Sequence, residues 1–245
     1  MVVLRLLPRC DIAAVRGRDA IATSANVALV GNRNPRFWRF AGKQNADGAL
    51  RAAGGLALDD ACAALPIIDG VHTRCRPGCA VVTSGFGSLH AGLVVHAVPP
   101  NGAFGYGMQK WFGTRGNAVW NGVNDSPDVP GAALPAGAAK EQLHSTFDAV
   151  LAAADAHGAR SVCMPAFGCG VMAWNDGRAA QIAVRAICAY QADGLEQVDV
   201  ALFGDATFEE FLAAAQAELG AAIEETDGVV AYDLRRARDT GGIRS

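Results

Sequence analysis

Long apolar runs, clustered basic charge and paired cysteines are what this chain of 245 residues has little of, and each shortage excludes something. No segment is uninterrupted enough to cross a bilayer. The apolar opening, residues 1–7, is broken by Arg5 and followed by Pro8 and Arg9; it is too short for a signal-peptide core and reads as an opening strand. Lysine and arginine number 21 against 24 aspartates and glutamates, a net charge of −3, and the basic residues are scattered. That argues against a broad nucleic-acid footprint, which announces itself as a basic patch. The local exception, Arg235, Arg236 and Arg238, reads as part of a solvated tail. The seven cysteines are odd in number and several sit inside apolar segments, where cysteine behaves as a small hydrophobe, so a reducing compartment fits. A cytoplasmic or nuclear protein is expected, with an organellar transit peptide as the alternative.

What is present is ample apolar material, 51% of residues, enough to bury a core. Strand-like runs at 19–24, 79–84, 93–98, 161–166 and 198–204 alternate with helical stretches at 46–65, 138–157, 176–190 and 206–219. This order predicts an α/β fold with helices packed on a central sheet. The expected layout is one domain over residues 1–222, with insertions at about 31–44 and 101–137, and a polar tail over 223–245. The second insertion, with Tyr106, Trp111, Phe112 and Trp120, is too long for a routine connection. It reads as a lid or a disordered insertion, and its aromatics favour an ordered, partly packed loop.

Sheets of this kind bind ligands at the carboxyl ends of their strands, where two loops converge. One is Thr23-Ser24-Ala25-Asn26; the other is Pro165-Ala166-Phe167-Gly168-Cys169-Gly170-Val171-Met172. The second is a glycine-bearing strand-to-helix turn, whose freed N–H groups and helix N-terminus can cradle phosphate without a cation. Such turns are also plain folding devices.

Taken in order, these segments resemble a macro domain over about residues 11–219. The family pattern has a Gly-Asp-Ile, an Asn-Ala-Ala-Asn turn, a glycine-rich loop into Val-Asp-Gly-Ala-Ile, and a Pro-Ala-Ile-Ser-Thr-Gly-type loop. Its counterparts here are Asp11-Ile12, Thr23-Ser24-Ala25-Asn26, Ala46-Asp47-Gly48-Ala49-Leu50 and Pro165-Ala166-Phe167-Gly168-Cys169-Gly170. The stretch 78–100 is similar to the family's middle strands. The resemblance implies a three-layer α/β/α fold with a mixed central sheet, and an ADP-ribose pocket.

It also implies roles, each beside a plainer one. Asp11, with Ile12, would accept from the adenine amino group, or simply be solvated. Phe203 would pack on adenine, or close a strand end. Gly168, Cys169, Gly170, Val171 and Met172 would hold the diphosphate against the helix start at Asp47 and Gly48. Asn26, beside Ala25, would bond the distal ribose, or use its side chain on its own turn. Asp47 would orient a water at the distal ribose, or cap its helix and complement the dipole. Hydrolytic members break a bond at that ribose, so Asp47 and Asn26 are the catalytic candidates. The expected activity is ADP-ribosyl or O-acetyl-ADP-ribose hydrolysis; the alternative is a non-catalytic reader of ADP-ribosylated proteins. Neither reading requires a cofactor or a metal.

Two departures stand out. The hydrolytic pattern continues Asp-Gly-Ala-Ile-His-Arg-Ala-Ala-Gly, whereas this chain reads Asp47-Gly48-Ala49-Leu50-Arg51-Ala52-Ala53-Gly54, one residue shorter and without the histidine. Where the family has consecutive glycines, residues 31–44 insert Arg33, Arg36, Arg39 and Lys43 with three aromatics. These cations suit an extra phosphate on the ligand, or a self-packed solvated loop. Two further alternatives are zinc on His72, Cys75 and Cys79, which lacks a fourth ligand, and a Cys169 nucleophile with a pKa lowered by the helix N-terminus.

Overall fold

The computed structural model describes residues 2–31, 45–100, 136–170, 172 and 174–235. Within them, eight strands form one mixed sheet: β1 (Val3–Pro8), β2 (Ala20–Ser24), β3 (Ala80–Ser84), β4 (Leu93–Ala97), β5 (Ser161–Pro165), β6 (Gln197–Leu202), β7 (Glu224–Thr226) and β8 (Val229–Asp233). The helices are α1 (Ala46–Ala64), α2 (Ala136–Ala156), α3 (Asp176–Ala189) and α4 (Asp205–Leu219), and a single 3-10 turn spans Ile12–Ala14. The strand order is β3-β4-β2-β5-β6-β1-β8-β7. The five strands from β4 to β1 run parallel; β3 and β8 flank them antiparallel, and the outermost β7 pairs antiparallel with β8. This is the expected three-layer α/β/α arrangement.

Side chains alternate across the pleat, and the alternation sorts the layers. Leu4 and Leu6 of β1, Ala20 and Ala22 of β2, Val162 and Met164 of β5, and Val198, Val200 and Leu202 of β6 face α2, α3 and α4 in one large core. The intervening Ile21, Cys163 and Ala201 face the other way, against Leu50 of α1 and Ile12 of the 3-10 turn. The helices form where alanine and leucine recur, and side chains cap the N-termini of two of them: Asn45 accepts from the Gly48 N–H and Asn175 from the Arg178 N–H. Helix α1 breaks at Gly55 (φ 66°), and the freed Ala53 carbonyl accepts from the Ser88 N–H at 2.9 Å.

The expected strands and helices fall within one or two residues of the observed ones. The expected tail is a correction. Residues 224–226 and 229–233 are the strands β7 and β8, and Val230, Ala231, Tyr232 and Leu234 are buried. β8 pairs antiparallel with β1 and shields it, so a run that reads as polar by composition is held by backbone pairing and by its alternate apolar residues. Residues 236–245 lie outside the described residues, as do nearly all of both expected insertions, 32–44 and 101–135; Ala136 and Gly137 open α2.

Candidate functional site at the carboxyl edge of the sheet

The parallel strands all end on one edge, and nearly every residue singled out above lies just beyond an end. Asp11 and Ile12 follow β1, Ala25 and Asn26 follow β2, the 166–172 loop follows β5, and Phe203 follows β6. Asp47 and Gly48 open α1, whose first turn returns to the end of β2: Thr23 Oγ1 donates to Asp47 Oδ1 at 3.4 Å.

Each member has a definite local state. The Asp11 carboxylate caps the 3-10 turn by accepting from the Ala13 N–H at 3.0 Å, and Ile12 is core. The Ala25 N–H is taken by the Ala97 carbonyl at 2.7 Å. The Asn26 amide closes its own turn, donating to the Val30 carbonyl at 2.5 Å and accepting from the Val30 N–H at 3.3 Å. One N–H and one lone pair of that amide remain for a ligand. The Gly48 N–H is spent on the Asn45 cap, so this residue offers room rather than a donor. Phe203, at the end of β6, is 57% exposed on the site edge.

The 166–172 loop is shaped by a residue that sequence reading missed, Trp174. Its indole N–H donates to the Pro100 carbonyl at 3.0 Å, and its backbone N–H to the Gly168 carbonyl at 3.1 Å. Gly168 has φ 93°, and a Cβ there would lie 2.9 Å from the Trp174 ring, so glycine is required twice over. Among the described residues, the Gly168 and Gly170 N–H groups have no backbone partner, and a Cβ on Gly170 would meet nothing within 4 Å. Such a loop can receive anion oxygens. Val171 lies outside the described residues.

The thiol alternative fails on electrostatics. Burial raises the Cys169 pKa strongly, and Asp176 and Glu210 add to it, so the helix N-terminus does not yield a thiolate. The residues of the zinc alternative, His72, Cys75 and Cys79, do not come together as a ligand set. Among the described residues no group of three or more His, Cys, Asp or Glu could hold a metal ion; Cys75 is buried, with its pKa pushed up to about 12 by burial, while Cys79 is exposed. Likewise no described helix is long and apolar enough to cross a membrane.

Beneath the site lies a buried polar cluster centred on Arg51. Its Nε–H donates to Asp47 Oδ1 at 3.4 Å, Nη1 to Asp59 Oδ1 at 2.6 Å, and Nη2 to the Leu29 carbonyl at 2.7 Å and to Cys62 Sγ at 3.6 Å. Burial works against the guanidinium charge, but Asp47, Cys62 and Asp59 outweigh it and raise its pKa. His96, fully buried, lies 3.6 Å from Cys62 Sγ and 2.9 Å from Thr83 Oγ1. Burial, then the Arg51 charge, lowers its pKa to about 3, while burial raises that of Cys62. Burial thus disfavours both the thiolate and the imidazolium, which opposes an activated nucleophile at this Cys–His contact.

The opposite edge of the sheet carries a shallow open depression of about 590 Å³ lined by Arg18, Asp19, His90 and His157. Its charges are engaged: Arg18 donates to Asp199 at 2.6 Å, and Asp19 accepts from the Arg160 and Ser161 N–H groups. The carboxyl edge is therefore where open donors and an exposed ring coincide.

A parallel-centred α/β/α sheet with a glycine-bearing loop on its carboxyl edge defines a class of α/β folds whose ligand sites lie beyond the strand ends. Within that class, the Macro domain family model matches residues 130–183. A macro domain-containing protein of Vibrio parahaemolyticus is 32% identical over 167 residues, covering 68% of this chain and 76% of that one. Another, from Ralstonia nicotianae, is 31% identical over 192 residues, covering 78% and 82%. The chain belongs to the macro domain family. It is also 29% identical over 169 residues, 69% of each chain, to an O-acetyl-ADP-ribose deacetylase of Salmonella typhimurium. Among solved structures, the Oceanobacillus iheyensis macrodomain with MES bound superposes with a TM-score of 0.62 at 21% identity, covering 87% of this chain and 90% of that one. The Trypanosoma brucei macrodomain in complex with ADP-ribose gives 0.57 at 20%, covering 86% and 68%.

Proposed function

We propose that this protein binds ADP-ribose or a close derivative along the carboxyl edge and hydrolyses an ester at the distal ribose, an ADP-ribosyl or O-acetyl-ADP-ribose bond. The observation that carries the reading is the meeting on one edge of the open Gly168–Gly170 backbone, the exposed ring of Phe203 and the buried carboxylate of Asp47. Adenine would stack on Phe203 with its amino group toward Asp11, and the diphosphate would take the free N–H groups of the 166–172 loop. The distal ribose would then fall between Asn26 and Asp47.

Hydrolysis at that ribose needs a positioned water and a site that accommodates developing charge. Asp47, 6% exposed, would accept a hydrogen bond from the water and orient it. Water adds, the ester C–O bond breaks, and an alcohol and a carboxylic acid leave. Deacetylase activity in a relative of 29% identity supports this reading.

A second reading, a non-catalytic reader of ADP-ribosylated proteins, is favoured by one observation. Asp47 already accepts from Arg51 and Thr23, where the hydrolytic pattern would continue with a histidine. Calorimetric titration with ADP-ribose tests binding: micromolar affinity should be lost in Phe203→Ala and in Gly170→Glu, which fills the phosphate space. No binding by the native chain would refute both readings. If binding holds, release of acetate from O-acetyl-ADP-ribose that disappears in Asp47→Ala supports hydrolysis, whereas no release leaves the reader.

A further inference from the structure

We infer that Arg51 is a positioning residue that holds the Asn26 loop and the Asp47 carboxylate in fixed relation to each other. The two groups come from different elements, the β2 exit and the start of α1, and their alignment is not set by either alone. Among the described residues Arg51 bonds both, through Nε to Asp47 and Nη2 to the Leu29 carbonyl, beside the direct bond from Thr23 at the end of β2 to Asp47. Its guanidinium side chain is 9% exposed, so these bonds are made out of water's reach.

The loop needs an external hold. Leu29, 1% exposed, adopts φ 54°, a left-handed conformation that a leucine does not choose for itself. The carbonyls from residue 26 to 30 are all engaged: Asn26 by the Leu29 N–H, Val27 by the N–H groups of Arg74 and Cys75, Ala28 by the Arg74 guanidinium, Leu29 by Arg51 and Val30 by the Asn26 amide. Among these described partners, Arg51 also bonds the Asp47 carboxylate. Gly31 packs directly on the Arg51 stem, and a Cβ there would collide with its Cδ. The stem, tied at its far end to Asp59 and Leu29, has little freedom to yield.

A lysine keeps the charge but not the planar fork, so it cannot bond Asp47 and Leu29 together. What the loop is for rests on the binding reading above; how it is held does not. The first measurement is therefore ligand-free hydrogen exchange of native protein, Arg51→Lys and Gly31→Ala. Gly31→Ala disturbs the same contact without removing any bonding group. Exchange at the Leu29 and Val30 amides should rise about tenfold or more in both variants, with the α3 and α4 amides unchanged. Unchanged exchange at Leu29 and Val30 overturns the inference, and so does a uniform rise across the sheet, which would mean global destabilisation. The second measurement is ADP-ribose affinity in a cycle of Arg51→Lys with Asn26→Ala. Each single variant should weaken binding about tenfold, and the double variant little further, because Arg51 acts through that loop. Losses that multiply overturn the positioning role. A native chain that binds no ADP-ribose refutes the proposed function, and the exchange result then decides the inference by itself.

Discussion

The face of the sheet under α2, α3 and α4 is filled almost wholly with apolar side chains, whereas the face under α1 buries Thr23, His96 and Asp199 from the strands and Asp47 from the helix. Each of those three strand residues adjoins neighbours that point into the large core: Thr23 follows Ala22, His96 lies between Val95 and Ala97, and Asp199 between Val198 and Val200. The pleat therefore separates two tasks. One face supplies cohesion by close packing. The other accepts the cost of burying polar groups and recovers it through pairing, as in Arg18 with Asp199 and Arg51 with Asp59. Stability and site geometry are in this way assigned to opposite sides of one sheet.

The largest test of that division is Phe147→Ala. Phe147 is fully buried and packs edge-to-face on Phe167 with ring centroids 5.3 Å apart. Its loss should reduce unfolding free energy by about 3–5 kcal/mol in chemical denaturation. Because Phe167 belongs to the 166–172 loop, ADP-ribose affinity of the protein that remains folded tests the division at this contact: a change within about threefold keeps the faces separable, and a larger loss shows them coupled through Phe167.

The polar face should reveal itself in acid. His96 has a folded-state pKa of about 3 against an ordinary 6.5, so the unfolded chain takes up its proton first as pH falls. The stabilisation from a neutral His96 is complete above about pH 6.5 and is lost as pH drops toward 3, at about 1.4 kcal/mol per pH unit within that window. His96→Gln should flatten the stability–pH slope by close to one proton. An unaltered slope would mean that the native structure admits the charge.

The smallest effect is expected on the outer surface. Arg185 of α3 donates to Glu218 of α4 at 2.6 Å, but the Arg185 side chain is 65% exposed. Arg185→Ala should change stability by less than about 0.5 kcal/mol, and 0.5 M salt should erase most of that. A larger cost would extend the rigid core into the solvent layer.

Much of this architecture was legible in the residue order. The strand and helix limits follow because period-two and period-3.6 patterns were strong where both partners of a contact are apolar. β7 and β8 were missed for the opposite reason: Glu224, Glu225 and Thr226 form an exposed edge, and Val229 to Asp233 is a short run beside arginines, so composition masked the alternation. The members of the candidate site were recognisable by motif, since glycine and asparagine mark turns. Their supports were not. Arg51 four residues after Asp47 looks like an ordinary surface helix pair, and only long-range packing of Leu29, Cys62 and His96 makes it interior. Trp174 gave no signal either, because its partner Pro100 lies far away in sequence.

The flanking of β1 by β6 and β8 has a consequence for synthesis. Val3 pairs with Gln197 on one side and with Asp233 on the other, so β1 finds its first neighbour only once translation has passed β6, and its second only once it has passed β8. At about 5–20 residues per second, that delay is on the order of ten seconds or more. During it, a strand carrying Leu4 and Leu6 is available to chaperones or to the wrong edge, because pairings so distant in sequence are among the last that synthesis permits.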